Sequence, residues 1–509
     1  MSFTWENIAA RAFRDTRLLP IGCGADEIML GMICKVMGVL LVGVQVRAVV
    51  VAVLLAAAHP ALADDDARAS GSGSTTEPAP PRAVPLPAPA PPASAVQQPI
   101  VGFRVRGDSK LTERTLGYLG HVELGDLISS LTVGEVEVAL MSSELFKSAV
   151  VTLEPTEGGV LVVATLQDKL SWIAAPTLFI LPSSYSIGAG YAESNLGGEN
   201  KKLLLYGQIG SRTSLLLGTF LDPSVHGSHW EARYDLYLLH QITTEYSNVN
   251  PRSFAIERES TETFLDAGFL LGYRFAWWLV QEFRLRGAYV YFRDSNAADT
   301  AKTPVVEPQN DGWDISLQAI TTLDRRSHRF GVTWGPYLQV QLESALPGID
   351  SYGYQSFKTR AYYSWRLFEE HELELRSRFQ TGRRLPFHED ITLGGASDLR
   401  GYSVDQFRGN LAAMFRAEYS IPVYKYKLFA FRTVGFYDAG YVRRGAEDLP
   451  GRNYLPDQPA GTSWFRSDAG AGIRLYVSTI VLPLLGFDVA WGIESHAPKY
   501  YFELGLTDF

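Results

Sequence analysis

An arginine and an aspartate are the residues of this 509-residue chain whose types and surroundings best suit a buried ion pair. Arg400 follows a glycine-rich stretch and precedes Gly401 and Tyr402, and Asp438 lies in a later segment of alternating polarity. A guanidinium and a carboxylate can form two parallel hydrogen bonds, and a glycine lets one backbone approach another closely. If the segment around Arg400 folds back against Asp438, the two form an internal ion pair; otherwise Arg400 is a solvated residue in an ordinary turn.

Histidine is the other residue type that could act as a base or a metal ligand here. Four of the nine histidines lie where such a role can be imagined, namely His226, His229, His371 and His388. No constellation of carboxylates accompanies them in the sequence, so we expect them to be loop or interior side chains.

Motifs of known catalytic sites are missing from the sequence. The chain carries no P-loop, no HExxH and no GxSxG. The Gly470/Gly472 spacing falls on a predicted strand rather than at a strand-to-helix turn, so it is not a dinucleotide fingerprint. We therefore predict that the protein is not an enzyme and has neither a cofactor nor a metal site.

The composition indicates a membrane protein that crosses with strands. Tyrosine, phenylalanine, tryptophan and glycine are abundant through the second two-thirds of the chain. Beyond the N-terminal region no apolar run approaches the roughly 20 residues that a membrane-spanning helix needs. The net charge of -9, with no concentration of lysine and arginine, argues against nucleic acid as a partner.

The N-terminal region reads as a secretory signal. From Met37 onward a basic residue, Arg47, precedes an apolar core, and Ala61-Leu62-Ala63 form a cleavage site of the A-x-A type. We expect residues 1–63 to be this signal region, with the peptide itself at about 37–63 and the true translation start at Met29, Met32 or Met37. Both cysteines, Cys23 and Cys34, precede the cleavage point, so the mature chain would contain no thiol.

Two segments separate the signal from the predicted membrane part. Residues 64–99 are rich in proline, alanine, glycine and serine, which cannot form a core, and we predict a disordered linker, with a ligand for a proline-binding partner as the alternative. Residues 100–169 alternate in strand and helix periodicity in the order β-α-α-β-β, which predicts one small domain.

Residues 170–509 contain segments in which charged and apolar residues alternate with period two. Such segments predict strands with one apolar and one polar face, as in a transmembrane antiparallel β-barrel with a polar interior. We predict about 16 strands, an even number as expected for a bacterial barrel, beginning near Trp172, Tyr185, Lys202, Thr213, Trp230, Thr263, Trp278, Gly312, Arg329, Tyr352, Glu370, Leu411, Leu428, Ser467, Val481 and Lys499.

Strand parity predicts which side chains face the interior. On the strand at 428–442, Arg432, Phe436, Asp438 and Gly440 share one parity, and we assign it to the interior. Aromatic residues on the other strands are candidates for the interfacial girdles: Trp230, Trp277, Trp278, Trp313, Tyr352 and Trp491.

The chain resembles the BamA/TamA outer-membrane assembly family in two regions. Phe103-Arg104-Val105-Arg106-Gly107-Asp108, Leu124-Gly125-Asp126 and Leu145-Phe146-Lys147-Ser148-Ala149-Val150 resemble a single POTRA domain, the periplasmic module of that family. Gly394-Gly395-Ala396-Ser397-Asp398-Leu399-Arg400-Gly401-Tyr402 resembles the Arg-Gly-Tyr/Phe signature of the long loop that folds back into the barrel. Three further matches lie where the family has them: Asn195-Leu196-Gly197-Gly198, Phe436-Tyr437-Asp438-Ala439-Gly440 and Ala469-Gly470-Ala471-Gly472-Ile473-Arg474-Leu475.

This resemblance implies that Arg400, Gly401, Tyr402, Phe436, Asp438 and Gly440 lock an interior loop, while a weak seam between the first and last strands opens sideways. The first strand carries Trp172 and Pro176 and pairs weakly because proline lacks an amide donor. In the last strand Phe502, Leu504 and Leu506 lie on the lipid parity, whereas the terminal Phe509 lies on the other.

The implied function is insertion or translocation of proteins or lipids at the outer membrane of a Gram-negative bacterium. The implied partners are outer-membrane lipid, unfolded or exported polypeptides, and periplasmic proteins at the POTRA domain, which lies with the linker in the periplasm. The alternatives are a polypeptide exporter like those of two-partner secretion, a passive pore, and a structural surface antigen.

Overall fold

The computed structural model describes residues 97–129, 132–143, 145–247, 255–297, 306–329, 332–368, 370–426, 429–445, 449, 451–455, 460–477 and 483–504. The predicted signal region, the predicted linker as far as residue 96, and the seam residues Leu506 and Phe509 lie outside these residues. No helix within the described part of the chain is long and apolar enough to cross a membrane.

Residues 98–168 form a small α/β unit. Its elements are β1 (Gln98–Asp108), α1 (Glu113–Gly120), β2 (Leu127–Ile128), α2 (Val133–Ser142), β3 (Phe146–Thr156) and β4 (Gly159–Asp168). The sheet order is β2-β1-β4-β3, in which β1 and β4 are parallel and the other pairs antiparallel. The sequence pattern missed β2, which is only two residues long, and β1 begins two residues before the domain boundary expected at residue 100.

Local chemistry fixes the first helix of this unit. Thr112 is its N-cap, with Oγ1 accepting a hydrogen bond from the Thr115 amide at 3.4 Å, and His121 ends it in the left-handed region at φ 56°. Both helices pack one apolar face on the sheet, where the fully buried side chains are Leu116, Leu140, Phe146, Val162 and Ala164.

The rest of the chain closes into an antiparallel barrel of 16 long strands, which confirms the predicted fold class. The strands of residues 172–504 are β5 (Trp172–Leu181), β6 (Ser184–Leu196), β7 (Lys201–Gly210), β8 (Thr213–Asp222), β9 (Trp230–Tyr246), β10 (Ile256–Ala276), β11 (Leu279–Ala297), β12 (Gly312–Asp324), β13 (Ser327–Arg329), β14 (Val332–Ala345), β15 (Gln355–Leu367), β16 (His371–Arg383), β17 (Ile391–Leu393), β18 (Phe407–Gly409), β19 (Leu411–Tyr426), β20 (Phe429–Arg443), β21 (Ser463–Val477), β22 (Pro483–Gly492) and β23 (Ala497–Leu504). Three of these are short: β13 extends the ladder beside β14, and β17 and β18 pair with each other.

The predicted strand starts agree with the observed ones to within four residues, except at β10. This strand begins at Ile256 rather than near Thr263. Residues 257–263 are all polar, so polar and apolar residues do not alternate there and the sequence gives no sign of a strand. Most connections at one end of the barrel, here called the loop end, are long, whereas the turns after β5, β7 and β22 at this end have only two to four residues. Those at the other end, the turn end, are short, and the small unit contacts that end.

Side chains alternate between the barrel wall's two faces, as period-two geometry requires. On β11, Arg284 and Arg286 are buried inside, whereas Phe283 and Leu285 are 54% and 49% exposed outside. One aromatic assignment was wrong: Tyr352 is buried inside the loop end, where its Oη donates to the Asn310 carbonyl at 3.1 Å. It follows the last turn of a loop rather than beginning a strand, so strand parity does not govern it.

Residues 384–410, here called the interior loop, connect β16 to β19 and lie inside the barrel. The three-residue strands β17 and β18 make it a hairpin, and a single helical turn, Phe387–Glu389, precedes them. Leu393, Leu399 and Phe407 pack against Met414 and Trp464 of the wall. Burial of these apolar groups gives the loop a core of its own within a polar interior.

Candidate functional site

Arg400 lies at the tip of the interior loop and is completely buried. Its Nε and Nη2 donate to the two carboxylate oxygens of Asp438 at 2.8 and 3.2 Å, a bidentate pair. Its Nη1 donates to Glu418 at 3.0 Å and to Asp488 at 3.1 Å. Three carboxylates from β19, β20 and β22 thus surround one guanidinium, so the loop is bonded to three strands through a single side chain.

Phe436 lies on the face of the same guanidinium. The Cζ atom of Arg400 is 3.2 Å from the centre of the Phe436 ring, a cation–π contact between two buried side chains. Phe436 and Asp438 are both buried and share the interior parity of β20, with the exposed Tyr437 between them.

Two wall arginines complete the charge balance. Arg416 donates from Nε to Asp438 at 2.8 Å and from Nη2 to the loop carbonyls of Ala396 and Asp398 at 3.2 and 2.9 Å. Arg474 holds Asp488 with two bonds of 2.5 and 2.9 Å. Arg474 belongs to one of the motifs that resemble the family, whereas Arg416, Glu418 and Asp488 were not among the residues predicted from the sequence.

Glycines leave the space that the loop occupies. A Cβ atom on Gly401 would lie 2.6 Å from Gly492 Cα and 2.6 Å from Asp468 Cβ, closer than real Cβ contacts. A Cβ atom on Gly440 would lie 2.9 Å from a methyl of Leu393 and 3.2 Å from one of Leu399. One glycine is therefore required on the loop and one on the wall for the two to meet.

Tyr402 extends the contact to the last strands. Its Oη donates to the Ser467 carbonyl at 3.2 Å and to Glu494, a residue of the turn between β22 and β23. The six predicted residues Arg400, Gly401, Tyr402, Phe436, Asp438 and Gly440 are thus brought together at one place inside the barrel.

A second charged cluster, which was not predicted from the sequence, holds the beginning of the interior loop. His388 Nε2 lies 2.8 Å from Asp314, contrary to the expectation that no carboxylates accompany the histidines. Glu389 accepts from Arg286 at 3.0 Å and from Lys358 at 3.1 Å. Buried charges therefore anchor the interior loop at two places, near its beginning at His388 and Glu389 and at its tip at Arg400.

This second cluster has the ligand types of a metal site but not its charge. Ligand atoms of Asp314, His388 and Glu389 lie within 4.8 Å of one another. The guanidinium of Arg286 bonds to both carboxylates, and Lys358 bonds to Glu389. A metal ion would have to displace these cations, so the donor set fits an ion-pair network better than a metal.

The other singled-out histidines lie apart from both clusters. His371 Nδ1 is 2.8 Å from the Tyr419 hydroxyl, and His229 Nε2 is 2.9 Å from Glu123 of the small unit. His226 lies in the turn between β8 and β9 with a positive φ of 54°. Their separation agrees with bonds that hold local structure rather than with a shared reaction centre.

Loops at the loop end fold over the interior loop. Arg452 donates twice to Asp390 and once to the Leu385 carbonyl at 3.1 Å. Arg258, on the wall, donates to the carbonyls of Val306 and Asn453 at 3.0 and 2.8 Å. These bonds hold the described loops of the loop end against the interior loop and the barrel wall.

The seam between β23 and β5 is the shortest ladder between long strands in the described chain. It pairs only Phe502 with Ile180, Glu503 with Phe179 and Leu504 with Leu178. The neighbouring β5–β6 ladder has ten such pairs, which include Trp172 and Pro176, both of them exposed.

Among the predicted seam residues of β23, Phe502 is half-buried, and Leu504 is only 7% exposed although it shares the outward parity. Leu504 lies opposite Leu178 at the point where the two strands meet.

Comparison with known proteins places this geometry in a family. Residues 195–507 match the Omp85 superfamily domain. No curated protein matches the chain.

Among solved structures, the chain is similar to BamA from Haemophilus ducreyi lacking POTRA domains 1–3, with a TM-score of 0.53 and 16% identity, covering 80% of this chain and 84% of that one. CdiB from Escherichia coli matches with a TM-score of 0.55 and 13% identity, covering 79% of this chain and 76% of that one. CdiB from Acinetobacter baumannii matches with a TM-score of 0.51 and 13% identity, covering 80% of this chain and 74% of that one. These similarities show a shared barrel fold. The chain belongs to the Omp85 superfamily of outer-membrane β-barrel proteins.

Proposed function

We propose that this barrel inserts polypeptides into the outer membrane through the seam between β23 and β5. The observation that carries the proposal is a contrast among the described residues, which end at Leu504: three pairs at the seam against ten in the next ladder. Each ladder hydrogen bond contributes about 1 kcal/mol net, so the seam is the part of the wall that opens at least cost. A strand edge exposed there needs a new partner, because lipid offers none.

The route through the interior is much better closed than the seam. The interior loop is held by Arg400 among three carboxylates, of which Asp438 and Asp488 are completely buried, and by the buried Glu389 between Arg286 and Lys358. Removing one partner of a buried ion pair costs about 3–5 kcal/mol. A passive pore needs an open interior, so the loop disfavours that alternative, and sideways release of a client needs no removal of the loop.

We also propose that the small unit, predicted at residues 100–169 and formed by residues 98–168, is a POTRA domain in the periplasm, which would place the loop end outside the cell. Its helices and its sheet order β2-β1-β4-β3 support this assignment, as does its contact with the turn end. Clients would be unfolded outer-membrane polypeptides, and periplasmic proteins would bind at this domain.

A reversible cross-link across the seam tests the proposal. Ile180→Cys and Phe502→Cys form a directly opposite pair, and Leu178→Cys with Ile187→Cys form the matched pair one ladder away. In proteoliposomes, insertion of a urea-denatured barrel client is measured by its protease protection. We expect the oxidised seam pair to abolish insertion and reduction to restore it, while the control pair leaves insertion unchanged. Undiminished insertion with an oxidised seam would contradict the proposal.

Export of a polypeptide through the interior is the second candidate, supported by the similarity to the two CdiB structures. Export requires the interior loop to leave, so a bifunctional thiol cross-linker that joins Phe407→Cys of the loop to Trp464→Cys of the wall, two residues whose ring centres lie 6.4 Å apart, would block it and spare insertion. Depletion of the protein followed by outer-membrane proteomics separates both roles from a surface antigen, whose loss would leave other barrels at their normal abundance.

A further inference from the structure

The closing strand β23 is held from inside the barrel by the tip of the interior loop. Tyr501 is completely buried, and its Oη donates to the carbonyl oxygen of Tyr402 at 3.0 Å. Two residues earlier on the same face, Lys499 Nζ donates to Ser403 Oγ at 3.2 Å. The strand that forms one side of the seam is therefore bonded to the two residues that follow Arg400 and Gly401.

The part of β23 that makes these bonds pairs with a neighbouring strand on one side only among the described residues. Among the described residues, only 502–504 pair with β5, so residues 497–501 have strand neighbours on the β22 side alone. An edge strand bonded on one side is free to move unless its side chains are held. Tyr501 and Lys499 supply that restraint.

The same loop tip also holds the turn that leads into β23. Tyr402 Oη donates to Glu494, and Gly401 packs against Gly492 at the end of β22. Arg400 fixes the tip itself by bonding Asp438 and Asp488. Contacts thus run without interruption from Arg400 to the turn at residues 493–496 and to residues 497–501 of β23.

We propose that Tyr501 and Lys499 are positioning residues that couple the Arg400 lock to the seam. The inference rests on the proposed function, in which the seam opens for a client. While Arg400 is locked, the Tyr402 carbonyl is fixed and holds β23 in place. When the tip moves, Tyr501 and Lys499 lose their acceptors, and residues 497–501 become free to leave the closed position.

Spin labels on either side of the seam test this coupling without any client. Cysteines replace Ser183, in the turn after β5, and His496, in the turn before β23, both of them exposed. Cys23 and Cys34, the chain's two natural cysteines, are changed to serine. The full chain is measured in lipid nanodiscs by double electron–electron resonance, in an otherwise wild-type background and with Tyr501→Phe, Lys499→Met or Arg400→Lys.

Tyr500→Phe is the matched control, because Tyr500 is adjacent on the strand but 50% exposed on the outer face. We expect Tyr501→Phe, Lys499→Met and Arg400→Lys each to add a population with a label distance longer by about one strand spacing, roughly 5 Å. The control should match the otherwise wild-type background. Compact migration on unheated gels shows that each variant still forms a barrel.

The coupling is refuted if Arg400→Lys widens the seam while Tyr501→Phe and Lys499→Met, separately and together, give the wild-type distances. It is also refuted if none of the three widens it. The label distances are measured without a client, so they test the coupling alone. The insertion assay in proteoliposomes tests the proposed function, and either can fail without the other.

Discussion

Gly401 of the interior loop lies directly on Gly492 at the end of β22, at a separation that leaves no room for a methyl group. A Cβ atom on Gly401 would be 2.6 Å from both the Cα and the amide nitrogen of Gly492. Backbone atoms of a barrel strand cannot move aside as the end of a flexible side chain can. The loop tip therefore depends on glycine at this position for reasons of space, not of backbone angle.

We expect Gly401→Ala to destabilise the barrel by about 2 kcal/mol, the usual cost of overpacking. Gly435→Ala on β20 is the control, since no atom lies within 4 Å of a Cβ atom there. The temperature at which each variant loses compact migration on gels is the measurement. Equal temperatures for the two variants would mean that the loop tip relaxes without cost.

Arg400→Ala leaves buried carboxylates without their main cation, and we expect a loss of about 3–5 kcal/mol of unfolding free energy. Arg400→Lys keeps the charge but cannot bond Asp438, Glu418 and Asp488 together, so its loss should be nearly as large. Tryptophan fluorescence during guanidinium unfolding in detergent measures both.

Lys425→Ala is the control for this series, because Lys425 and Glu370 form an ion pair with side chains 46% and 47% exposed. Such a pair contributes at most about 1 kcal/mol. If Arg400→Ala cost no more than Lys425→Ala, the buried network would have no role in holding the loop.

Strand parity explains how much of this site the sequence could predict. Asp438 was assigned to the interior because it alternates with Tyr437 and Ala439 on one strand, which is local information. Asp488 has the same signal, a lone carboxylate between Phe487 and Val489, and parity alone could have found it.

The second cluster could not be found in this way. His388 and Asp314 are 74 residues apart, and their contact depends on how far the interior loop descends and on the register of several ladders. Period-two alternation fixes the face of a side chain but not its height in the barrel. The short β2 was missed for a related reason, since two residues cannot show a period.

The two anchors of the interior loop should act together in keeping the lumen closed. We expect Arg400→Ala and Glu389→Ala each to raise the rate of liposome swelling with small solutes modestly, and the double variant to raise it by more than the sum, because either anchor alone keeps the loop inside the barrel. Swelling of the double variant equal to the sum of the singles would show that the anchors hold independent parts.

The small unit meets the turn end of the barrel through another close glycine contact. The Gly198 carbonyl accepts from the Thr112 amide at 3.0 Å, and a Cβ atom on Gly198 would lie 1.8 Å from the Lys110 carbonyl oxygen. Nearby, Arg274 of β10 lies 5.2 Å from the centre of the Tyr118 ring, and burial raises the pKa of that phenol. The small unit is thus held against the barrel by specific contacts.

We expect Gly198→Ala to displace the small unit, whereas Gly197→Ala should not. Both glycines have positive φ, 69° for Gly197 and 75° for Gly198, so backbone strain is common to the two variants. Only Gly198 has a neighbour in the way, since a Cβ atom on Gly197 meets nothing within 4 Å. The difference between them therefore isolates the contact with Lys110. Spin labels at Lys147 and Ser211 report the separation, and a broadened distance distribution for Gly198→Ala alone is the expected result. Equal distributions for the two variants would mean that the unit is seated by other contacts.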